Sequence, residues 1–427
     1  VSKAVYLVDG ARTPILKARG KAGAFASADL STLAGRHLLM KTNIDPSEID
    51  ETILGCVMPS EKEANIGRVA SLRIGIPESV PAWTVQRNCA SGMQAVDSAM
   101  NRIQLGHSDL VLAGGVEAMS RAPIMFSDQY VGFLGRLMGA KTPMAKLKVL
   151  SSFRPSLLTP VFALEHGLTD PVVSLNMGQT AERIAERFEI DRPAMDQWAV
   201  QSHLRASAAQ EAGVYEDEVV PIIDGAGNLY DRDDGVRADS NVEKLSTLKP
   251  VFDKPYGKVT AANSSQISDG AAWVLLASEE AVERLSLKPI AKISDIKWAG
   301  LSPAEMGLGP AHSIAELLTA NQLSITDIDY WEINEAFAAQ VLACIEAMAS
   351  EDYCRNELSL DSTLGRLPVD KLNIHGGAVA CGHPVGMSGA RIILHMARTL
   401  HLKNAQRGIA SLCIGGGQGG AALIEKV

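Results

Sequence analysis

Cys89 is flanked by Asn88 and by Ala90-Ser91-Gly92, where an extended run, residues 82–87, gives way to a helix expected to begin near Ser91. A thiol at a helix N-terminus meets unpaired backbone N–H groups and the positive end of the helix dipole, and both favour thiolate. The same N–H groups can hold an oxyanion. A lone cysteine at such a junction is more often buried filler, so a nucleophile needs partners. Two candidates lie near the C-terminal end. His383 stands in Gly376-Gly377-Ala378-Val379-Ala380-Cys381-Gly382-His383-Pro384-Val385-Gly386, ahead of another helix, and Cys413 opens Cys413-Ile414-Gly415-Gly416-Gly417 after a strand. Glycines remove Cβ atoms where backbone must approach a ligand or turn with positive φ, so their density here points to a tight acyl or pantetheine channel. A phosphate-binding loop is the weaker reading, because neither GxxxxGK[ST] nor a strand-linked GxGxxG with a following acid is present.

The elements that would position these groups alternate between β and α. Residues 109–113, ending at Gly114-Gly115, carry a strand pattern, and residues 93–105 a helical one. Such alternation implies β/α layers around a parallel or mixed sheet. Ser91-Gly92-Met93, helix, strand and Gly114-Gly115 are echoed by Gly386-Met387-Ser388, helix, strand and Gly415-Gly416, so the chain reads as a duplicated unit. Between the halves, residues 120–266 are irregular, Pro-interrupted and charge-rich, with one helical region at 178–213, and read as an inserted domain. Within it, residues 130–164 hold five basic side chains (Arg136, Lys141, Lys146, Lys148, Arg154) and no acid, with Val131, Leu134 and Met138 at helical spacing. The expectation is a solvated charged face whose apolar side packs on the domain. The alternatives are a cover over an anionic ligand, a partner site or a membrane-surface contact.

Composition bounds the rest. A chain of 427 residues predicts two or three packed units. Its net charge of −9 gives no general pull toward nucleic acid or anionic membrane. The six cysteines include no CxxC pair, so neither a disulfide framework nor a zinc site is expected, and a reducing cytosol fits best. Val1 to Val8 reads as a strand and lacks the apolar core of a signal peptide. No run reaches the roughly 18 apolar residues of a membrane-spanning helix.

With these residues placed, the sequence resembles the thiolase family along nearly its whole length, from Val8-Asp9-Gly10-Ala11-Arg12-Thr13-Pro14 to the last strand. The motifs that carry the resemblance are Asn88-Cys89-Ala90-Ser91-Gly92, Gly114-Gly115-Val116-Glu117-Ala118-Met119-Ser120, Asn334-Glu335-Ala336-Phe337-Ala338, Gly382-His383-Pro384 and Cys413-Ile414-Gly415-Gly416-Gly417. It implies an α/β thiolase fold: two similar β/α halves in a layered αβαβα arrangement with an inserted loop domain. One half would be residues 1–119 plus 267–287, with Cys89; the loop domain covering CoA would be 120–266; the other half would be 288–427, with Asn334, His383 and Cys413.

The resemblance also implies roles. Cys89 would be the acylated nucleophile, His383 would deprotonate it and help hold the thioester oxygen, and Cys413 would be the second acid and base. One oxyanion would form against His383 and a water held by Asn334, the other against the backbone N–H groups of Cys89 and Gly415. CoA would meet Met177 at its acyl and pantetheine end, Ser265 at a pantetheine amide, and Arg237 and Phe252 at its adenine. No permanently bound cofactor and no metal is implied. CoA and acyl-CoA are the expected substrates of a cytoplasmic homodimer or homotetramer that binds no nucleic acid.

Alternatives stand beside this. Asn334 alone reads as an N-cap ahead of Glu335-Ala336-Phe337, and Arg237 alone as a surface partner of Asp233 or Asp239. Asn176 stands where many short-chain relatives have a histidine. Within the family, the expected activity is cleavage of a 3-oxoacyl-CoA in fatty-acid β-oxidation; the alternative is an acetoacetyl-CoA thiolase that condenses two acetyl-CoA. Residues 130–164 and 350–368 resemble insertions in thiolase subunits of fatty-acid oxidation complexes, which implies a complex partner or membrane contact, yet those subunits commonly carry histidine at the position of Asn334. A more distant alternative, a ketoacyl synthase-like condensing enzyme, would use His375 as a second histidine but leaves Cys413 without a purpose.

Overall fold

The computed structural model describes residues 3–427, so Val1 and Ser2 of the expected first strand lie outside the described residues. Its strands are β1 (Tyr6–Arg12), β2 (Glu51–Gly55), β3 (Ala82–Val85), β4 (Leu110–Ala118), β5 (Ser268–Ala277), β6 (Ala291–Gly300), β7 (Tyr330–Ile333), β8 (Arg407–Ile414) and β9 (Gln418–Lys426). With the short Leu16–Lys17 they form a 10-stranded sheet ordered β7-β8-β9-β6-β1-β5-β4-β2-β3. β1 and β6 meet only at Tyr6 with Lys292 and Leu7 with Ala291, so the sheet is two halves joined edge to edge. Each half pairs a parallel outer strand with an antiparallel inner one: β2 and β4 with β5, β7 and β8 with β9. β5 is buried along its whole length, which is why Ala271 to Ala277 is an unbroken apolar run instead of an alternating one.

The helices are α1 (Ser27–Thr42), α2 (Ser91–Gln104), α3 (Asp128–Gly139), α4 (Pro143–Leu150), α5 (Met177–Arg187), α6 (Arg192–Glu211), α7 (Gly309–Ala320), α8 (Ala338–Ala349) and α9 (Val385–Leu402). α2 and α9 pack on each other between the two halves of the sheet, while α1 covers β5 and α7 covers β9, giving five αβαβα layers. The central pair touches through small residues. A Cβ on Gly389 would come 2.4 Å from the Met93 nitrogen, so any larger side chain would push apart the helices that carry the candidate site.

Three local expectations are corrected. β4 does not end at Gly114-Gly115 but runs on to Ala118, because these glycines answer crowding, not a turn: a Cβ on Gly115 would lie 2.0 Å from the Gly386 carbonyl oxygen. The helical region 178–213 is two helices, α5 and α6, with Asp191 capping the second through the Ala194 N–H and Pro193 in its first turn. The apolar residues at helical spacing do not all pack inward. In α3 Phe133 is buried, but Val131 is 56% exposed and Met138 85%. No helix among the described residues is long and apolar enough to cross a membrane.

Candidate active site

β3 leads into the elbow that presents Cys89. Asn88 turns the chain with φ of 44°, and α2 begins two residues after the cysteine. Ser91 locks the elbow: its Oγ donates to the Asn88 carbonyl at 2.7 Å and accepts the Arg87 N–H at 2.9 Å. The backbone N–H groups of Gly415 and of Cys89 itself act to favour the thiolate. Sequence alone predicts a depressed thiol pKa. The structure reverses the sign, because enclosure of the sulfur raises it and outweighs those two N–H groups. The resting group is therefore a thiol, which needs a base.

His383 is buried, held neutral by that burial and by the charge of Arg391, which together push its pKa down to about 3. The Ser388 hydroxyl donates to the Pro384 carbonyl at 3.0 Å and lies 2.6 Å from His383 Nδ1, so its lone pair accepts the Nδ1–H. That tautomer leaves Nε2 with a free lone pair. The Asn334 amide nitrogen lies against the ring, 3.4 Å from Nδ1 and 3.5 Å from Nε2, and its buried carbonyl oxygen has no protein partner among the described residues. Asn334 is not an N-cap, since α8 starts only at Ala338.

Cys413, next to last in β8, is fully buried, and burial with the neighbouring Cys89 and Cys344 thiols pushes its pKa well up, so it holds its proton. Gly415 follows it by two residues, so one strand end supplies both a thiol and an N–H donor. The cavity at Cys89 has a volume of about 210 Å³ and is lined by Met58, Met119, Leu168, Val172, Met177 and Val385, the last two residues past His383. The site is thus assembled from both halves, with Met177 on the inserted segment closing it.

The remaining expectations divide. Phe252 stacks on α5 beside Met177: a Cβ on Gly178 would fall 2.2 Å from its ring. Ser265 and Arg237 do not line this cavity; Ser265 donates its N–H to the Ala336 carbonyl. Arg237 does not make the surface pairs considered for it, because Asp233 is held by Arg12 at 2.7 Å and Asp239 by Lys244 at 2.6 Å. Asn176 caps α5 through the Gln179 N–H at 2.9 Å, a task independent of CoA. His375 bonds His395 at 3.1 Å in a buried cluster with Glu218, which removes it from the cavity.

Three residues escaped sequence reasoning. Glu117 accepts N–H bonds from Val57 (2.9 Å), Met58 (3.0 Å) and Gly386 (3.2 Å), tying a cavity wall to the start of α9; burial nonetheless pushes its pKa up to about 7. Glu335 accepts from Trp198 (3.0 Å) and Ser202 (2.6 Å) of α6 and from Asn373 (3.0 Å). Ser388, one turn into α9, orients His383. Only the carboxylates left a signal, as acids inside otherwise apolar runs.

Family models match the chain twice, the thiolase N-terminal domain over residues 5–280 and the thiolase C-terminal domain over 287–426. A probable acetyl-CoA acyltransferase of Staphylococcus epidermidis is 37% identical over 428 residues, covering 99% of this chain and 98% of the relative. Human mitochondrial 3-ketoacyl-CoA thiolase, solved in complex with CoA, superposes with a TM-score of 0.85 at 35% identity, over 100% of this chain and 98% of that one. The acetyl-CoA acetyltransferase of Bacillus anthracis does so with 0.86 at 36% identity, over 100% and 99%. With both halves matched in order and a relative of 37% identity covered almost end to end, the chain belongs to the thiolase family of acyltransferases.

Proposed function

We propose that this enzyme cleaves a 3-oxoacyl-CoA with free CoA through an acyl thioester on Cys89. The observation that carries the reading is a thiol lining an apolar cavity, with Asn88 beside it hydrogen-bonded to Gly415 of the opposite half. His383 Nε2 takes the Cys89 proton as the sulfur attacks the 3-oxo carbon. The bond between carbons 2 and 3 breaks, and the departing acetyl-CoA enolate takes the proton of Cys413. Incoming CoA returns a proton to the Cys413 thiolate and attacks the thioester; the C–S bond to Cys89 breaks, and the sulfur regains its proton from His383. A buried thiol well above its ordinary pKa suits the Cys413 step, because its thiolate is a strong base.

The cavity also favours acyl groups longer than acetyl. Its volume equals roughly seven water volumes and its walls are hydrocarbon and thioether. Thiolysis should be measured from acetoacetyl-CoA to 3-oxohexadecanoyl-CoA. The expected kcat/KM rises by roughly fourfold per added methylene until the cavity is filled. A maximum at acetoacetyl-CoA that declines with every methylene would transfer the reading to an acetoacetyl-CoA thiolase.

A second role is proposed for residues 130–164, as a contact with anionic lipid. On α4, Met144 (76% exposed), Leu147 (62%) and Leu150 (51%) form an outward apolar stripe edged by Lys146 and Lys148. Lysines beside exposed apolar groups suit a lipid interface, where their heads reach phosphates; cores of protein interfaces are depleted in lysine. The full chain should sediment with mixed phosphatidylcholine–phosphatidylglycerol vesicles and not with phosphatidylcholine alone. Lys146→Gln with Lys148→Gln should weaken partitioning by about fivefold per lysine. Equal sedimentation of variant and wild type would end this reading.

A further inference from the structure

Asn88 is used by none of the chemistry above, yet it occupies a demanding position. Its φ of 44° is a left-handed conformation that most side chains resist and asparagine tolerates. Its side-chain amide crosses from the N-terminal half to the C-terminal one and donates to the Gly415 carbonyl at 2.8 Å. The turn it reaches is Gly415-Gly416-Gly417, with φ of 91° and 76° at the last two.

Packing does little to hold the front of that turn. A Cβ on Gly416 would find only the Asn88 amide, at 4.0 Å, and one on Gly415 would meet Met177 Sδ at 3.4 Å and that same amide at 3.8 Å. Gly415 and Gly416, with no side chains to wedge them, are a pliable stretch ahead of Gly417, whose carbonyl is anchored by the Leu301 N–H at 2.8 Å. The elbow on the other side is rigid, because Ser91 satisfies both Arg87 and Asn88. The Asn88 amide is therefore the polar tie between a fixed piece and a soft one. The soft piece carries the Gly415 N–H, and the fixed piece carries the Cys89 N–H, the two groups that act to favour the Cys89 thiolate.

We propose that Asn88 is a positioning residue: its amide clamps the glycine turn to the nucleophile elbow and so sets the spacing between the Cys89 and Gly415 N–H groups that receive the acyl-thioester oxygen. The inference rests on the reading that Cys89 carries the acyl group. Oxyanion donors act through placement at the position where charge develops, so a loosened turn lowers the rate of the chemical steps without removing a binding contact.

Two substitutions in the full chain test it, with acetoacetyl-CoA and CoA as substrates. Asn88→Gly keeps the left-handed turn at no steric cost and deletes only the clamp. Asn88→Asp keeps size and turn preference but sets a carboxylate against the Gly415 carbonyl. The expected result is a kcat lowered about tenfold to a hundredfold, more in the Asp variant, with KM held within about twofold. Both proteins should melt near the wild type and still show an acyl mass on the Cys89 peptide. A kcat within about threefold of wild type in both variants overturns the clamp, as does a raised KM at constant kcat, which would make Asn88 a binding group. Absence of an acyl mass on Cys89 in the wild type would instead overturn the underlying reading, so the two failures are distinct.

Discussion

Cys89→Ala is expected to lose thiolysis by on the order of 10⁶-fold, the scale seen when a nucleophile is deleted from a concerted site. Incubation of the wild type with acetoacetyl-CoA should add an acyl mass to the peptide bearing residue 89, and the variant should show none. The effect should be this large because no other thiol can substitute. Cys344 and Cys413 are buried with raised pKa values, and only Cys89 lines the cavity among the cysteines. The same geometry fixes a pH dependence. Since enclosure raises the Cys89 thiol above its ordinary value, alkylation of the free enzyme by iodoacetamide should be slow at neutral pH and quicken as pH rises past the thiol pKa. Rapid neutral alkylation at residue 89 would contradict the raised thiol pKa, and an acyl mass on another cysteine would contradict the assignment.

Cys413→Ala separates the two half-reactions. The variant should still acquire the acyl group from acetyl-CoA, because Cys89, His383 and the N–H donors are untouched. Exchange of the acetyl-CoA α-protons with deuterated water should fall by about 10²–10⁴-fold, the usual contribution of a placed acid or base. The expectation follows from burial: a thiol kept protonated in the resting state can quench an enolate, and its thiolate can reclaim a proton. Unchanged exchange in the variant removes Cys413 from the chemistry.

How much of this was legible in the sequence depends on the length scale of the signal. The β/α alternation and the strand-to-helix junction at Cys89 were readable because glycine clusters and apolar periodicity are local, whereas the thiolase fold came from the resemblance its motifs carry. Gly114-Gly115 misled for the same reason: locally a glycine pair reads as a turn, whereas here the crowding comes from Gly386, far away in sequence. The sign of the Cys89 shift was misread because a helix terminus is visible in sequence and burial by the opposite half is not. Glu117, Glu335 and Ser388 were missed because each acts through partners on other segments. In α3, helical spacing announced an apolar stripe correctly but could not say that it faces outward.

The bonds of Glu335 bear on how substrate gets in. This buried carboxylate takes hydrogen bonds from two side chains of α6 and one from Asn373, and so fastens the inserted segment to the C-terminal half. A roof bolted down by a charged group that cannot be left stranded does not swing open, since each broken bond would strand charge in a dry interior. Adjustment to a substrate is therefore left to the cavity wall at Gly167, Leu168 and Val172, which lies outside these bonds.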